Sequence, residues 1–173
     1  MKHIPFLVLY YGIFRYLPES DSRILGKFSK RLRGWACKHI FESCGTNPDI
    51  NRKAYFGKGD RIRLGDNSGL GVNCFILNGS IIGDNVMMGP NFYAFAVNHK
   101  HDRVDIPMNQ QGFTPKRPIT IGNDVWIGRD VKVMPGLHIP DGSILAAGCI
   151  LTKNFPEYSI IGGVPGKILK SRK

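Results

Sequence analysis

Aliphatic residues recur at every sixth position along two long stretches of the chain. Counting from Leu64, the series runs Leu64, Leu70, Ile76, Ile82, Met88 and Ala94; counting from Ile121, it runs Ile121, Ile127, Val133, Ile139, Leu145 and Leu151. Glycine follows directly at Gly65, Gly71, Gly83 and Gly89. The fourth residue after each aliphatic is again small or apolar: Ser68, Cys74, Ser80 and Val86, with Phe92 as a larger exception, then Val125, Val131, Leu137, Ser143 and Cys149. A period of six matches neither the helical nor the strand repeat. It predicts a solenoid in which each unit makes one short strand and one tight corner, and three units close a triangular coil. The sixth-position aliphatics then fill a narrow core. Corners need residues that tolerate an unusual backbone, and Gly83-Asp84-Asn85 and Gly122-Asn123-Asp124 supply them. Cys74 and Cys149 fall at the small inward position and read as apolar filler.

The two runs are out of phase, so something leaves the coil between about Phe95 and Pro118. That segment is polar, aperiodic and contains Pro107, Pro115 and Pro118, the marks of an external loop. A long loop on a tight solenoid is a place for function. It holds His99 and His101, two of five histidines; the others are His3, His39 and His138. Imidazole, with an unperturbed pKa of about 6.5, takes a proton from a hydroxyl near neutral pH. Asp102 follows closely enough to orient it. The plainer reading of a histidine pair in such a loop is a solvated surface.

The first fifty residues have a different pattern. Residues 6–17 and 24–41 read as helices, the second with Leu25, Phe28, Leu32, Trp35 and His39-Ile40 at helical spacing and Lys27, Lys30, Arg31, Arg33 and Lys38 supplying charge. One reading is a cap over the open end of the coil; the other is a patch that rests on an acidic membrane face. The two are compatible. The apolar segment from Ile4 to Phe14 is too short to span a bilayer, and no small-residue cleavage site follows it, so neither a membrane span nor a signal peptide is expected. The expected organisation is an N-terminal helical cap over residues 1–50, a mainly β coil over 51–165 with an external loop at about 95–118, and a C-terminal tail over 166–173.

Composition narrows the partners. A chain of 173 residues makes one domain, and its net charge of +11 points to an anionic partner. The basic residues are spread out, without zinc-finger spacing, an RNP-like aromatic motif or a recognition helix, so nucleic acid is not the expected partner; a phosphate-bearing co-substrate fits the charge. The four cysteines form no CxxC or CxxH pattern. They are expected to be free thiols in a reducing compartment, hence a cytoplasmic location, with the N-terminal patch as the ground for expecting association with the inner face of the membrane.

One stretch carries more specific text: Ile82-Gly83-Asp84-Asn85-Val86, Gly89-Pro90-Asn91, Asn98-His99, Pro118-Ile119-Thr120-Ile121-Gly122-Asn123-Asp124-Val125-Trp126-Ile127-Gly128, Leu151-Thr152-Lys153 and Gly162-Gly163-Val164-Pro165. It resembles the hexapeptide-repeat acyltransferases, and among them the maltose, galactoside and capsular-polysaccharide O-acetyltransferase group. The resemblance implies a left-handed parallel β-helix, although parallel crossovers in general favour the right hand. It implies a homotrimer with active sites between adjacent subunits. It implies acetyl-CoA as co-substrate, no metal or prosthetic group, and direct transfer to a sugar or glycolipid hydroxyl in surface polysaccharide assembly. Carried over position by position, His99 is the base, eight residues after Asn91, with His101 as rival. Trp126 lines the pantetheine channel, and a backbone N–H at Gly128 or Arg129 meets the oxyanion. Ala147, Thr152 and Lys153 match CoA contacts, and Lys153, Lys167 and Lys170 meet the adenosine phosphates. Asn73, Asn91 and Asp102 are candidates on the acceptor side, although the two asparagines also suit corners. Gly166 departs from the pattern, which has alanine after the proline.

Other classes stay open at this point. An antibiotic or other small-molecule acetyltransferase has the same coil, with a longer loop and a helical tail, whereas this chain stops a few residues past Gly163-Val164-Pro165-Gly166. A zinc-dependent carbonic anhydrase-like enzyme would use three histidines, and His99, His101 and His138 can be counted that way. A non-catalytic scaffold on the same coil is the last.

Overall fold

A computed structural model describes residues 3–173. The two-residue strands stack into three flat faces of a prism, all in parallel. Face one stacks Ser43–Cys44, Arg63–Leu64, Ile81–Ile82, Thr120–Ile121 and His138–Ile139. Face two stacks Asp49–Ile50, Gly69–Leu70, Met87–Met88, Trp126–Ile127, Ile144–Leu145 and Ser159–Gly162, with the Gly69 N–H donating to Val86 O to join its lower and upper parts. Face three stacks Tyr93–Ala94, Lys132–Val133 and Ile150–Leu151, continued below by bridges from Tyr93 to Phe75 and from Phe75 to Tyr55.

Side chains alternate along a strand, so one residue of each pair points out and the other in. The inward residues are the sixth-position aliphatics: Leu64, Leu70, Ile76, Ile82, Ala94 and the whole series from Ile121 to Leu151 are buried, and Met88 is partly so. Ser68, Cys74, Val86, Phe92, Val131 and Cys149 fill the inner sides of the corners. At two of the three corners Asn67, Asn85 and Asp124, then Asn73, Asn91 and Asp130, adopt left-handed backbone with φ between 51° and 59°. Asn and Asp tolerate this better than other side chains. Adjacent coils nearly touch there: a Cβ on Gly71 would lie 2.3 Å from Gly89 O, so glycine follows the inward aliphatic for want of space.

The register explains where the count of six starts and stops. Cys44 pairs with Leu64, twenty residues on, whereas Leu64 pairs with Ile82, eighteen on. Leu145 pairs with Ile161, sixteen on. The first coil is therefore two residues longer than the repeat and the last two shorter. The coil begins at Ser43, inside the expected cap, because its first rungs pair before the period becomes regular. Ile82 pairs with Ile121, thirty-nine on, which is one eighteen-residue coil plus a twenty-one-residue loop.

Helix α1 (Ile4–Gly12), a 3-10 turn (Phe14–Tyr16) and helix α2 (Gly26–Ile40) cover the first coil. The first expected helix stops at Gly12, and only the short turn precedes Pro18, whose ring disfavours helix at the residue before it. Tyr10 is buried, its hydroxyl donating to Ala54 O at 3.0 Å and its ring 4.6 Å from Phe56. Arg33 is fully buried and donates to Ile50 O and Pro18 O. At the other end, the segment expected as a tail folds back as a strand, Lys167–Ser171, antiparallel to Ser159–Gly162. Gly166 is buried at this turn; a Cβ there would lie 3.0 Å from Cys149 Sγ, so alanine would need that side chain to shift. The four cysteines are free, and no helix among the described residues is long and apolar enough to cross a membrane.

Candidate active site

The external loop is a hairpin arm. The Arg117 N–H donates to Ala96 O at 2.7 Å and closes the coil beneath it. Two antiparallel segments rise from that clasp: the Thr114 N–H donates to Asn98 O at 2.8 Å, the Lys100 N–H to Gly112 O at 3.0 Å, and His99 pairs with Phe113 between them. At the tip, Gln111 donates to Arg103 O and Ile106 O, and Arg103 forms an ion pair with Asp105. That ion pair holds the Asp105 carboxyl below its usual range and the Arg103 guanidinium above its own.

His99 is exposed, its ring 4.3 Å from that of Phe113 at 40°. Among the described residues, neither ring nitrogen of His99 has a hydrogen-bond partner. His101 is also exposed, with Nδ1 3.3 Å from the His99 carbonyl. Asp102 lies in a cleft with Lys100, Arg103, Ile106 and Gln110 and makes no hydrogen bond to His99. His138 sits on face one with Nδ1 2.8 Å from Thr120 Oγ1. No three His, Cys, Asp or Glu side chains among the described residues are grouped to hold a metal ion, so His99, His101 and His138 do not form a zinc set.

Face two carries an outward apolar strip. Met87, Trp126, Ile144 and Ile160 stand in register one above another, and Trp126 is 52% exposed. The strip ends at the folded-back strand, where Ile160 pairs with Lys170 and Gly162 with Lys167, both lysines exposed. Rungs are about 4.8 Å apart, so the backbone of Trp126 lies on the order of 15 Å from that of Lys170. At the corner beyond Trp126, the Gly128 N–H is spent on Leu145 O at 2.8 Å. The Arg129 N–H has no acceptor among the described residues, although its carbonyl accepts from Gly148. Ala147 lies directly over Gly128: a Cβ on that glycine would come within 2.7 Å of Ala147 N. Thr152 and Lys153 are exposed on the far side, after Leu151 of face three, with the Lys153 ammonium 5.5 Å from the Phe155 ring centroid. The structure does not gather them with Lys167 and Lys170.

Asn73 and Asn91 stand at the corner between faces two and three. Asn73 Nδ2 donates to Asn91 Oδ1 at 3.2 Å, and Asn91 Nδ2 to Asp130 Oδ1 at 2.7 Å. The ladder gives both a structural task.

The prism puts the parts of the site on opposite sides. The arm leaves from the corner between faces three and one, and face two lies across from that corner. His99 is three residues from Ala96, so it reaches at most about 10 Å from the corner. Within one chain His99 and the Trp126 strip therefore lie on different sides of the prism. Three residues of the candidate site were not singled out by sequence. Phe113 lay in an aperiodic stretch. Ile144 and Ile160 precede sixth-position aliphatics, and their signal is the outward position on the face that carries Trp126.

Residues 118–153 match the family model described as bacterial transferase hexapeptide (six repeats), and residues 61–93 match the one described as hexapeptide repeat of succinyl-transferase. The galactoside O-acetyltransferase of Escherichia coli (strain K12) is 35% identical over 135 residues, 77% of this chain and 65% of that protein. A chloramphenicol acetyltransferase of Agrobacterium fabrum (strain C58 / ATCC 33970) is 29% identical over 159 residues, 89% of this chain and 69% of its own length. The solved structure of a galactoside acetyltransferase in complex with coenzyme A matches 99% of this chain and 81% of that one, with a TM-score of 0.80 and 30% identity. The chain spans about two thirds of the length of the curated relatives it matches.

Proposed function

Because this chain belongs to the hexapeptide-repeat acetyltransferase family, we propose that it transfers an acetyl group from acetyl-CoA to a sugar hydroxyl, with His99 as the base. The observation that carries the reading is the placement of His99: at the root of a hydrogen-bonded arm, exposed, both ring nitrogens without a partner among the described residues, at the loop that interrupts the repeat. The acceptor hydroxyl gives its proton to the imidazole as its oxygen attacks the thioester carbonyl. The C–S bond breaks from the tetrahedral intermediate, and the imidazolium proton passes to the departing CoA sulfur. Each proton is accounted for without a covalent enzyme intermediate. The free N–H of Arg129 suits the oxyanion, whereas that of Gly128 is already committed to the coil.

Pantetheine fits the strip of Trp126, Ile144 and Ile160, and the nucleotide phosphates fit Lys167 and Lys170 at its end. His99 and this strip lie on opposite sides of one prism, which supports a homotrimer in which the arm of one copy faces the strip of the next. Thr152, Lys153 and Ala147 complete the CoA contacts across that interface, and Asp102 stands on the acceptor side of the arm. A sugar acceptor follows the galactoside acetyltransferase likeness, and surface polysaccharide assembly is the role we assign. A second reading keeps the chemistry and changes the acceptor to an antibiotic hydroxyl, on the likeness to the chloramphenicol acetyltransferase. Turnover of acetyl-CoA over a panel of mono- and oligosaccharides, with chloramphenicol alongside, separates the two. Absence of CoA binding sinks both.

A further inference from the structure

Helix α1 is apolar on every side; from Ile4 to Gly12 it holds no charged residue. Such a helix belongs in a core or in lipid. Here only one side is covered. Tyr10 is buried, and Phe6 packs on Trp35 at 5.2 Å and on His39 at 4.2 Å. The other side leaves Ile4 49% and Val8 66% exposed, and Ile13 just beyond is 55% exposed.

Helix α2 extends this free surface. Its buried side holds Ser29, Arg33, Ala36, Cys37 and Ile40. At 100° per residue, Phe28 and Trp35 form an exposed stripe beside α1, joined to it through Phe6 and Phe14. Lys27, Arg31 and Lys38 form the next stripe round. Together with Lys30 they line a cleft of about 440 Å³ whose wall includes Trp35. Neither helix contains an acidic residue.

We propose that α1 and α2 form a face that lies in the plane of an anionic lipid membrane. Val8, Ile4, Phe28 and Trp35 enter the boundary between headgroups and acyl chains, and Lys27, Arg31 and Lys38 hold lipid phosphates, Lys30 being paired with Asp49 at 3.9 Å. Charge selects this occupant. In a two-fold contact between copies the same patch meets itself, so the cationic stripe would face its own like charges, and the proposed trimer uses the arm and face two rather than this patch. An anionic bilayer offers apolar depth and opposite charge together. This goes beyond the acyl-transfer reading, and its test needs no catalysis.

The test is co-sedimentation of the full chain with phosphatidylcholine vesicles, with and without phosphatidylglycerol, at low and high salt. The chain binds the anionic vesicles and not the neutral ones, and salt releases it. Val8→Asp, an exposed position whose change leaves the fold intact by circular dichroism, abolishes binding. The triple variant Lys27→Glu, Arg31→Glu, Lys38→Glu lowers partitioning on the order of 100-fold. Equal binding to neutral vesicles, no binding to either, or variants that bind as the wild type would overturn the proposal. So would loss of oligomeric mass in Val8→Asp without vesicle binding by the wild type, which assigns the face to a second copy.

Discussion

The imidazole of His99 rests on the ring of Phe113, 4.3 Å between centroids, across the antiparallel pair at the root of the arm. Through this contact the aperiodic part of the sequence acquires a fixed direction for the imidazole. We propose that Phe113 is a positioning residue for His99. Phe113→Ala should lower kcat for acetyl transfer roughly tenfold to a hundredfold, since small misplacement of a reacting group costs that much. The KM for acetyl-CoA should stay near the wild-type value, and Phe113→Tyr should recover most of the loss. An unchanged kcat with a lower melting temperature would make the contact merely structural.

Because face two lies across the prism from the arm, the proposed homotrimer would build each complete site from two copies. His99→Ala and Trp126→Ala should each be poorly active alone. Denatured together and refolded as mixed trimers, they should regain about a quarter of wild-type activity, since each mixed ring contains one interface with both native residues. No recovery, from variants shown by mass to have mixed, would put His99 and Trp126 in one chain's site.

The corner ladder makes a separate prediction for Asn91. Asn91→Ala puts alanine in left-handed backbone at φ 59° and removes the bonds to Asn73 and Asp130. It should cost about 2–3 kcal/mol of stability, read by urea denaturation. Asn91→Gly keeps the backbone and should cost about 1 kcal/mol. Neither should change the KM for the acceptor. A rise of that KM in Asn91→Gly would show that the amide also touches sugar.

The coil was legible because one aliphatic in six faces a core too narrow for anything else, so burial imposes the pattern directly. Where geometry relaxes, the pattern fades. The first coil, with its two extra residues, shifts Ile50 and Phe56 out of phase with Leu64, although both are fully buried. The outward stack of Tyr55, Phe75 and Tyr93, with centroids 5.1 and 4.4 Å apart, lies outside the sixth-position pattern, because outward positions are not confined by the narrow core. His99 stood out only through the phase break and a resemblance. Its relation to Trp126 depends on which face each occupies, and that follows from the length of every coil between them.

The buried thiols predict an alkaline limit to stability. Burial pushes the Cys74 thiol up to about 12 and that of Cys37 well above the ordinary range. In the unfolded chain thiols ionise near 8.5. Between those values the unfolded state has lost protons that the folded state retains, so stability present below about pH 8.5 falls as pH rises toward 12. The slope should approach about 1.4 kcal/mol per pH unit for each such thiol. Urea midpoints measured from pH 7 to 10.5 should show the decline, and Cys74→Ala should flatten it. Parallel curves for the two proteins would contradict this assignment.

The central claim is that His99 is the base of acetyl transfer to a hydroxyl. The direct measurement is kcat with acetyl-CoA and the best acceptor for wild type and His99→Ala, beside CoA affinity by calorimetry. Loss of kcat by about 10²- to 10⁴-fold with unchanged CoA affinity is the predicted result. A variant that binds CoA and keeps its full turnover would contradict the account.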